Sequence, residues 1–482
     1  MLRCSASLNP DAMNRSLPNL PRREFLHQAC CAGVGTLGMF SAMAQLRLVG
    51  ALASDASGVR SAASAASSDY KALVCLFLNG GNDGNSVLIP TDEADYGRYA
   101  KARGDLAIAR KDLRSIAPRL YRDGRAYGLN PNLTEIADLF DQGKVAMVGN
   151  VGTLVRPTTM TDYTAGRALP LQLYSHLDQS IQWQSSIVDQ PIFRTGWGGR
   201  MADLLQSMNQ NDRLSMAITL GGSSYFQVGE QVAPYAVDQG GADLLNGFWG
   251  SGREGERYAA TKRLLAAGHP NVIGSAFARA TDSAVNASEF LWEALNKAAP
   301  LATSFTSDGT AQRLRMVARL IGMAPGLGLK RQIFFVNIGG YDVHAAQATA
   351  HASLLRELSR AMGAFYQATV ELGVADKVTS FTASDFGRSY NPNGDGTDHA
   401  WGNIQWVMGG AVAGREIYGK MPSLEVGAPD DTGRGRWIPT TSVDEYNAVL
   451  ARWFGVSEAN LPTVLPNIGR FARSNLGFLA PS

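Results

Sequence analysis

Cysteine is close to absent. Of four in 482 residues, Cys4, Cys30 and Cys31 fall near the N-terminus, and Cys75 stands alone in the remainder. A disulfide framework is therefore excluded for the body of the chain, whose core must be held by packing. An excess of one charge is lacking too: 44 Lys and Arg face 42 Asp and Glu, a net charge of +2. That balance gives no electrostatic case for nucleic acid or an anionic membrane as the main partner. A run of about 20 strongly apolar residues, which a membrane span requires, is also missing. The nearest approach, over 30–53, is rich in Gly and Ala and interrupted by Arg47, so no stable membrane anchor is expected. Finally there is no G-x-S-x-G elbow, Walker loop, G-x-G-x-x-G after a strand, H-E-x-x-H or C-x-x-C. The common hydrolase, nucleotide-binding, metalloprotease and thioredoxin-like readings go with them.

What is present begins with "PRREFLHQACCAGVGTLGMFSAMAQLRLVGALAS". Arg22-Arg23, then Phe25-Leu26, then an Ala/Gly/Leu-rich run is the layout of a twin-arginine export signal, although Pro21 precedes the pair and His27 stands where Lys is common. The expectation is a signal peptide over 1–53, cleaved after Ala44 or, preferably, Ala53, with the twin-arginine translocase as partner and a periplasmic or secreted destination. Cleavage at 53 removes Arg3, Arg15, Arg22, Arg23 and Arg47 with Asp11 and Glu24, so the mature chain carries −1. Substrates of that route cross folded, which allows a cofactor to be inserted beforehand.

Residues 54–69 are small and polar without periodicity and predict a flexible leader. From residue 70 onwards strands and helices alternate. Ala72 to Leu78 is a continuous apolar run ending in Asn79-Gly80-Gly81, the signature of a strand buried on both faces. A helix stopped by glycine and a second strand at Val145 to Val148 follow. Later "QIFFVNIGG" and "KVTSFTASDFG" predict two more strands, separated by a helix over 351–372, and "NIQWVMGGAV" a further one. Ser442 and Glu445 form a capping box at the start of the last clear helix. The pattern predicts an α/β, doubly wound, mainly parallel sheet flanked by helices, with ligands gathered at the carboxyl ends of the strands. A single domain is expected over 70–482, with a more helical inserted cap at about 190–330.

Polar clusters stand at those strand ends: Asp83; Ser175-His176-Leu177-Asp178-Gln179; Asp342 with His344; Asp385; and Asp398-His399. Carboxylate oxygens and imidazole nitrogens brought from separate segments are what a divalent metal site requires. Each cluster also has a plainer reading. Asp83 fits a turn, Ser175 a helix N-cap, Asp342 and His344 a turn and helix start, and "GDGTDHAWGN" a solvated loop. His269 and His351 read as a loop residue and a helix-surface residue.

The order of these stretches is similar to that of a known family. "GGNDG" after an apolar strand, "SHLDQ", "GGYDVH", "SDFGR" and "GTDHAWGN" together resemble the twin-arginine-exported domain-of-unknown-function 1501 family, grouped with the alkaline phosphatase and sulfatase superfamily. The resemblance implies an alkaline-phosphatase-like fold. It implies an exported metal-dependent hydrolase of phosphate or sulfate esters, acting on a small-molecule or polymer ester. Carried over, Asp83, Asp342, His344, Asp385 and His399 are the expected ligands of one or two divalent ions (zinc, manganese, calcium or magnesium), with His176 and Asp398 as further ligands. Ser175 is the expected nucleophile, and Arg388 or Arg200 the clamp on the anion. Three departures qualify the implication: Phe386 stands where a His usually follows the second-site Asp, Asp342-x-His344 is shorter than Asp-x-x-x-His, and the sulfatase Cys-x-Pro-x-Arg motif is missing. They point to one ion, or to two held partly by His176 or Asp398. The rival expectation is a non-catalytic exported binding or surface protein that keeps the fold and one metal.

Overall fold

A computed structural model describes residues 69–480 except 192–193, 212, 269 and 473–474. The expected signal peptide, and the leader but for Asp69, lie outside the described residues, as does His269.

The architecture follows from strand β1 (Lys71–Leu78). Ala72, Val74, Leu76 and Leu78 join one apolar cluster, while Leu73, Cys75 and Phe77 join another. Successive side chains of a strand point to opposite faces, so both faces of β1 must be covered. One face is covered by the helices Thr134–Asp141, Gly309–Met323 and Gln347–Glu371, and the other by Trp197–Leu205 and Val443–Phe454. Each fully buried branched or aromatic side chain contributes about 1.5–3 kcal/mol by leaving water, which is how the core holds without a disulfide.

Three short strands, β2 (Leu88–Pro90), β3 (Arg114–Ile116) and β4 (Tyr127–Leu129), make a small antiparallel sheet. The main sheet contains β5 (Val145–Gly152), β6 (Ala217–Thr219), β7 (Tyr235–Ala236), β8 (Arg331–Ile338), β9 (Val378–Ser384), β10 (Asn403–Gly409) and β11 (Glu416–Gly419) beside β1, in the order β11-β5-β10-β9-β1-β8-β6-β7. Strand β12 (Thr441–Ser442) pairs with β5. Among the described strands of this sheet β10 alone runs against its neighbours. The fold is thus a mixed, mainly parallel sheet flanked by helices, as the alternation predicted.

For function the centre of the sheet matters most. Strand β1 is parallel to both β8 and β9, and Leu78 is level with Ile338 on one side and Ser384 on the other. The loops that leave these strands therefore emerge side by side at one edge. The β8-to-β9 crossover is the helix Gln347–Glu371, which starts four residues before the predicted 351 and ends ahead of Gly373, where φ is +67°. The capping box of Ser442 and Glu445 forms as expected.

The stretch 190–330 is divided between the main layers and a helical excursion. Trp197–Leu205 packs on the sheet, β6 and β7 extend it beyond β8, and Gly309–Met323 covers a face. Between them, Arg253–Ala266 and Val272–Lys297 form a helical pair. Strands of three and two residues are too short to show a period, which is why the sequence reads as a continuous insert.

Candidate metal centre

Four segments meet at this edge. The loop after β1 brings Gly80, the loop after β8 brings Asp342 and His344, Asp385 directly follows β9, and His176 opens the helix His176–Ser185. His399 arrives from the loop before β10. Close approach of the first two loops depends on Gly80: its φ is +118°, and a Cβ there would lie 2.3 Å from the Asp342 backbone nitrogen. Gly81, at φ +83°, leaves room for the Phe386 ring, which packs against the imidazoles of His176 and His399 at centroid distances of 4.7 and 4.6 Å.

Hydrogen bonds determine which nitrogen of each imidazole faces the centre. His176 Nδ1 lies 2.7 Å from Asp385 Oδ2, and His399 Nδ1 lies 2.9 Å from the Tyr174 carbonyl. A carboxylate and a carbonyl accept, so in each ring, when neutral, Nδ1 carries the proton and Nε2 presents a lone pair. Those Nε2 atoms each lie 3.4 Å from Asp342 Oδ1. His176 Nε2 is buried with no hydrogen-bond partner. His344 Nε2 closes the fourth side, 3.0 Å from Asp342 Oδ1 and 3.0 Å from His399 Nε2.

Asp342 Oδ1 also accepts from Arg388 Nη1 at 2.9 Å. Burial by itself would raise the Asp342 carboxyl, but the hydrogen bond and charge of Arg388, with His176 and His344, bring it below its ordinary value. The bond to Asp385 raises His176 against the opposing effect of burial. Burial lowers His399, with the Tyr174 carbonyl pulling the other way. The ring best set to stay neutral thus sits opposite one that favours charge.

His176, Asp342 and His399 each offer a donor atom within 4.8 Å of the other two, and this is the one such set of three or more among the described residues. The remaining expected ligands have other places. Asp385 is fully buried and accepts from His176 Nδ1 on one oxygen and from the Gly80 N–H, at 3.0 Å, on the other, so it orients the His176 ring from behind. Asp398 pairs with Arg434 and accepts from Asn393 Nδ2 at 2.6 Å; His344 Nδ1 is 3.8 Å away. Asp83 is fully buried, and its Oδ2 accepts from Arg103, from Ser86 at 2.7 Å and from Gln347 at 2.6 Å. Arg388, the expected anion clamp, has a fully buried side chain bonded to Asp342. It fixes Asp342, and its Nη2 has no partner. Arg200 is bonded to backbone carbonyls of Thr195 and Val464.

Ser175 caps the helix His176–Ser185 and donates its hydroxyl to Asp178 Oδ2 at 2.6 Å. It lies between Tyr174 and His176, both of which touch the centre. His351 departs from the expected surface position: it is 3% exposed, with Nε2 2.8 Å from Asn82 Oδ1. The signal was present, because 351, 355, 358 and 362 follow helical spacing and all four are buried. The Tyr174 carbonyl, and Arg436, which donates to the His399 carbonyl at 2.9 Å, were missed because backbone partners leave no residue-type pattern.

A mixed sheet with two imidazoles and a carboxylate converging beyond its parallel strand ends defines a class of α/β protein built around a polar, cation-compatible centre. The chain belongs to the family described as "Protein of unknown function (DUF1501)", which matches residues 70–434. A search of curated proteins finds no match. Among solved structures it is similar to the PsFucS1 sulfatase from Pseudoalteromonas sp., at 10% identity and TM-score 0.35, covering 86% of this chain and 72% of that one. It is likewise similar to the lipoteichoic acid synthase LtaP from Listeria monocytogenes, at 8% identity and TM-score 0.33, covering 80% and 72%. A third is the phosphonate monoester hydrolase of Agrobacterium radiobacter, at 10% identity and TM-score 0.29, covering 80% and 74%.

Proposed function

We propose that this protein is an exported, metal-dependent hydrolase of phosphate or sulfate esters, with His176, Asp342 and His399 as ligands of one divalent ion and His344 beside them. The observation that carries the reading is the pair of Nε2 lone pairs aimed at one carboxylate oxygen, one of them on a buried atom without a partner. Three acceptors facing one another repel unless a cation or proton lies between them. Two nitrogens and an oxygen suit zinc better than manganese, calcium or magnesium, which favour oxygen ligands.

A bound divalent cation would supply charge to neutralise an ester oxyanion and lower the pKa of a hydroxyl. The chain's own groups do the positioning. Asp385 and the Tyr174 carbonyl hold the two imidazoles in the ligating tautomer, and Arg388 fixes Asp342. Ser175, its proton directed at Asp178, is the proposed nucleophile, and the start of its helix adds N–H donors for an anion. The rival, a binding protein that keeps the fold and one metal, is favoured by one observation: Asp83, the expected ligand of a second site, has Oδ2 engaged by three donors.

The test is metal content by elemental mass spectrometry on protein purified without chelator, paired with turnover of aryl phosphate and aryl sulfate esters. About one equivalent in the wild type, lost in Asp342→Asn, with Ser175→Ala retaining the metal but not the turnover, supports the reading. Metal-free wild type after addition of zinc and manganese refutes it, and metal without turnover of any ester favours the binding protein.

A further inference from the structure

The helical pair between β7 and β8 carries an apolar end that none of the described residues covers. Its helices run antiparallel: the Tyr258 hydroxyl bonds to Glu289, while Lys262, four residues on, reaches back to Asp282. The second helix, Val272–Lys297, enters the core through Leu291 and Leu295. At 1.5 Å per residue Ile273 stands about 27 Å along the axis from Leu291. At this far end Val272 is 81% exposed, Ile273 69% and Phe277 56%. Ile273 and Phe277 share a face at i, i+4 spacing, and the companion helix Arg253–Ala266 buries none of its residues.

Charge identifies the occupant. From Arg257 to Thr281 the chain has four basic residues, Arg257, Lys262, Arg263 and Arg279, and no acidic one. Lys262 lies near Asp282 and Glu289, whereas Arg263 and Arg279 are exposed at the apolar end. Exposed apolar side chains at the tip, with exposed Arg263 and Arg279 within two helical turns of it, match a surface that is apolar inside and anionic outside. We propose that this helical tip docks on an anionic lipid bilayer, Val272, Ile273 and Phe277 entering the headgroup boundary while Arg263 and Arg279 meet lipid phosphates. The near-neutral net charge of the whole chain does not oppose this, because screening confines each charge to about 8–10 Å. None of the described helices is long and apolar enough to cross a membrane, so the contact is with the surface.

The test is cosedimentation of the purified protein with vesicles of phosphatidylcholine alone or mixed equally with phosphatidylglycerol. Partitioning onto the mixed vesicles is expected to exceed that onto neutral ones, and to fall about tenfold or more both in Ile273→Ser/Phe277→Ser and in Arg263→Ser/Arg279→Ser. The substituted positions are exposed, so metal content and thermal unfolding should be unchanged; the docking is independent of the metal centre. Absence of wild-type partitioning, or partitioning that the Ile273→Ser/Phe277→Ser protein retains, overturns the proposal. So does a dimer in sedimentation equilibrium that the same double substitution dissociates, which would assign the tip to a second copy of the chain.

Discussion

Acid should weaken this fold through one histidine, and the size of the effect can be worked out. His351 sits in the crossover helix beneath the loop that follows β1, donating from Nε2 to Asn82 Oδ1 at 2.8 Å with the Tyr341 ring edge-on at 6.2 Å. Burial pushes its pKa from 6.5 down to about 4; Asp83 pulls it up, Arg103 and Arg388 push it down. A histidine with a depressed folded pKa is protonated first in the unfolded chain. Stability is therefore intact above the unfolded pKa and is lost as pH falls from 6.5 towards 4. At about pH 4.5 this one proton favours the unfolded chain by a factor on the order of 100, or about 2–3 kcal/mol.

Urea unfolding of the wild type and of His351→Gln, at about pH 7.5 and about pH 4.5, isolates the term by difference. Glutamine keeps an N–H for Asn82 and has no proton to gain. The variant is expected to be the less stable at the higher pH, through looser packing, but to lose about 2–3 kcal/mol less on acidification. Parallel losses in the two proteins, within about 0.5 kcal/mol, would refute the assignment of a buried neutral imidazole. The effect also reaches the metal centre, since Asn82 shares its loop with Gly80, whose N–H holds Asp385.

Two other substitutions probe the centre itself. In Asp385→Asn the amide oxygen can still accept from Gly80, leaving the NH₂ to face His176 Nδ1; the ring must then put its proton on Nε2. Zinc affinity measured by calorimetry is expected to fall about 10–100-fold, and an unchanged affinity would remove Asp385 from the orienting role. Gly80→Ala brings a Cβ to 2.3 Å from the Asp342 nitrogen at a φ of +118°. It should cost at least about 2 kcal/mol in urea unfolding and weaken metal binding, whereas Gly97→Ala, with open space around the position, should do neither.

Strand β1 was legible as an unbroken apolar run from Ala72 to Leu78, β8 as the apolar run Ile333 to Val336 ahead of Gly339-Gly340, β9 as a β-branched and aromatic stretch ahead of a polar turn, and helix Val443–Phe454 because its capping box is local. The sequence pattern named the polar residues that gather at the strand ends but not what each one touches. Residue types place Asp385 among metal ligands as readily as Asp342; what separates them is a backbone N–H from Gly80 and an imidazole 209 positions earlier in the sequence, neither of which leaves a pattern. The same holds for Asp83. Its turn in "GGNDG" was foreseen, yet its partner Arg103 ends a helix twenty residues later and pairs with it where both side chains are fully buried.

That pair bears on whether one ion or two is to be expected. Separating a buried ion pair by removing one partner costs about 3–5 kcal/mol, and the Asp83 carboxyl lies below its ordinary value although burial is the largest influence and pushes it up; the Arg103 charge and the hydrogen bonds of Ser86 and Arg103 bring it down. Asp83 is thus ionised and its charge already neutralised within the fold. A second cation there would have to compete with a guanidinium bonded at Oδ2 and would find only Oδ1, which has no partner. At His176, Asp342 and His399 the balance is reversed: two imidazole nitrogens and a carboxylate converge, and outside the histidines only Arg388 among the described residues is bonded to that carboxylate oxygen. One cation at the second place and none at the first is the arrangement these charges support.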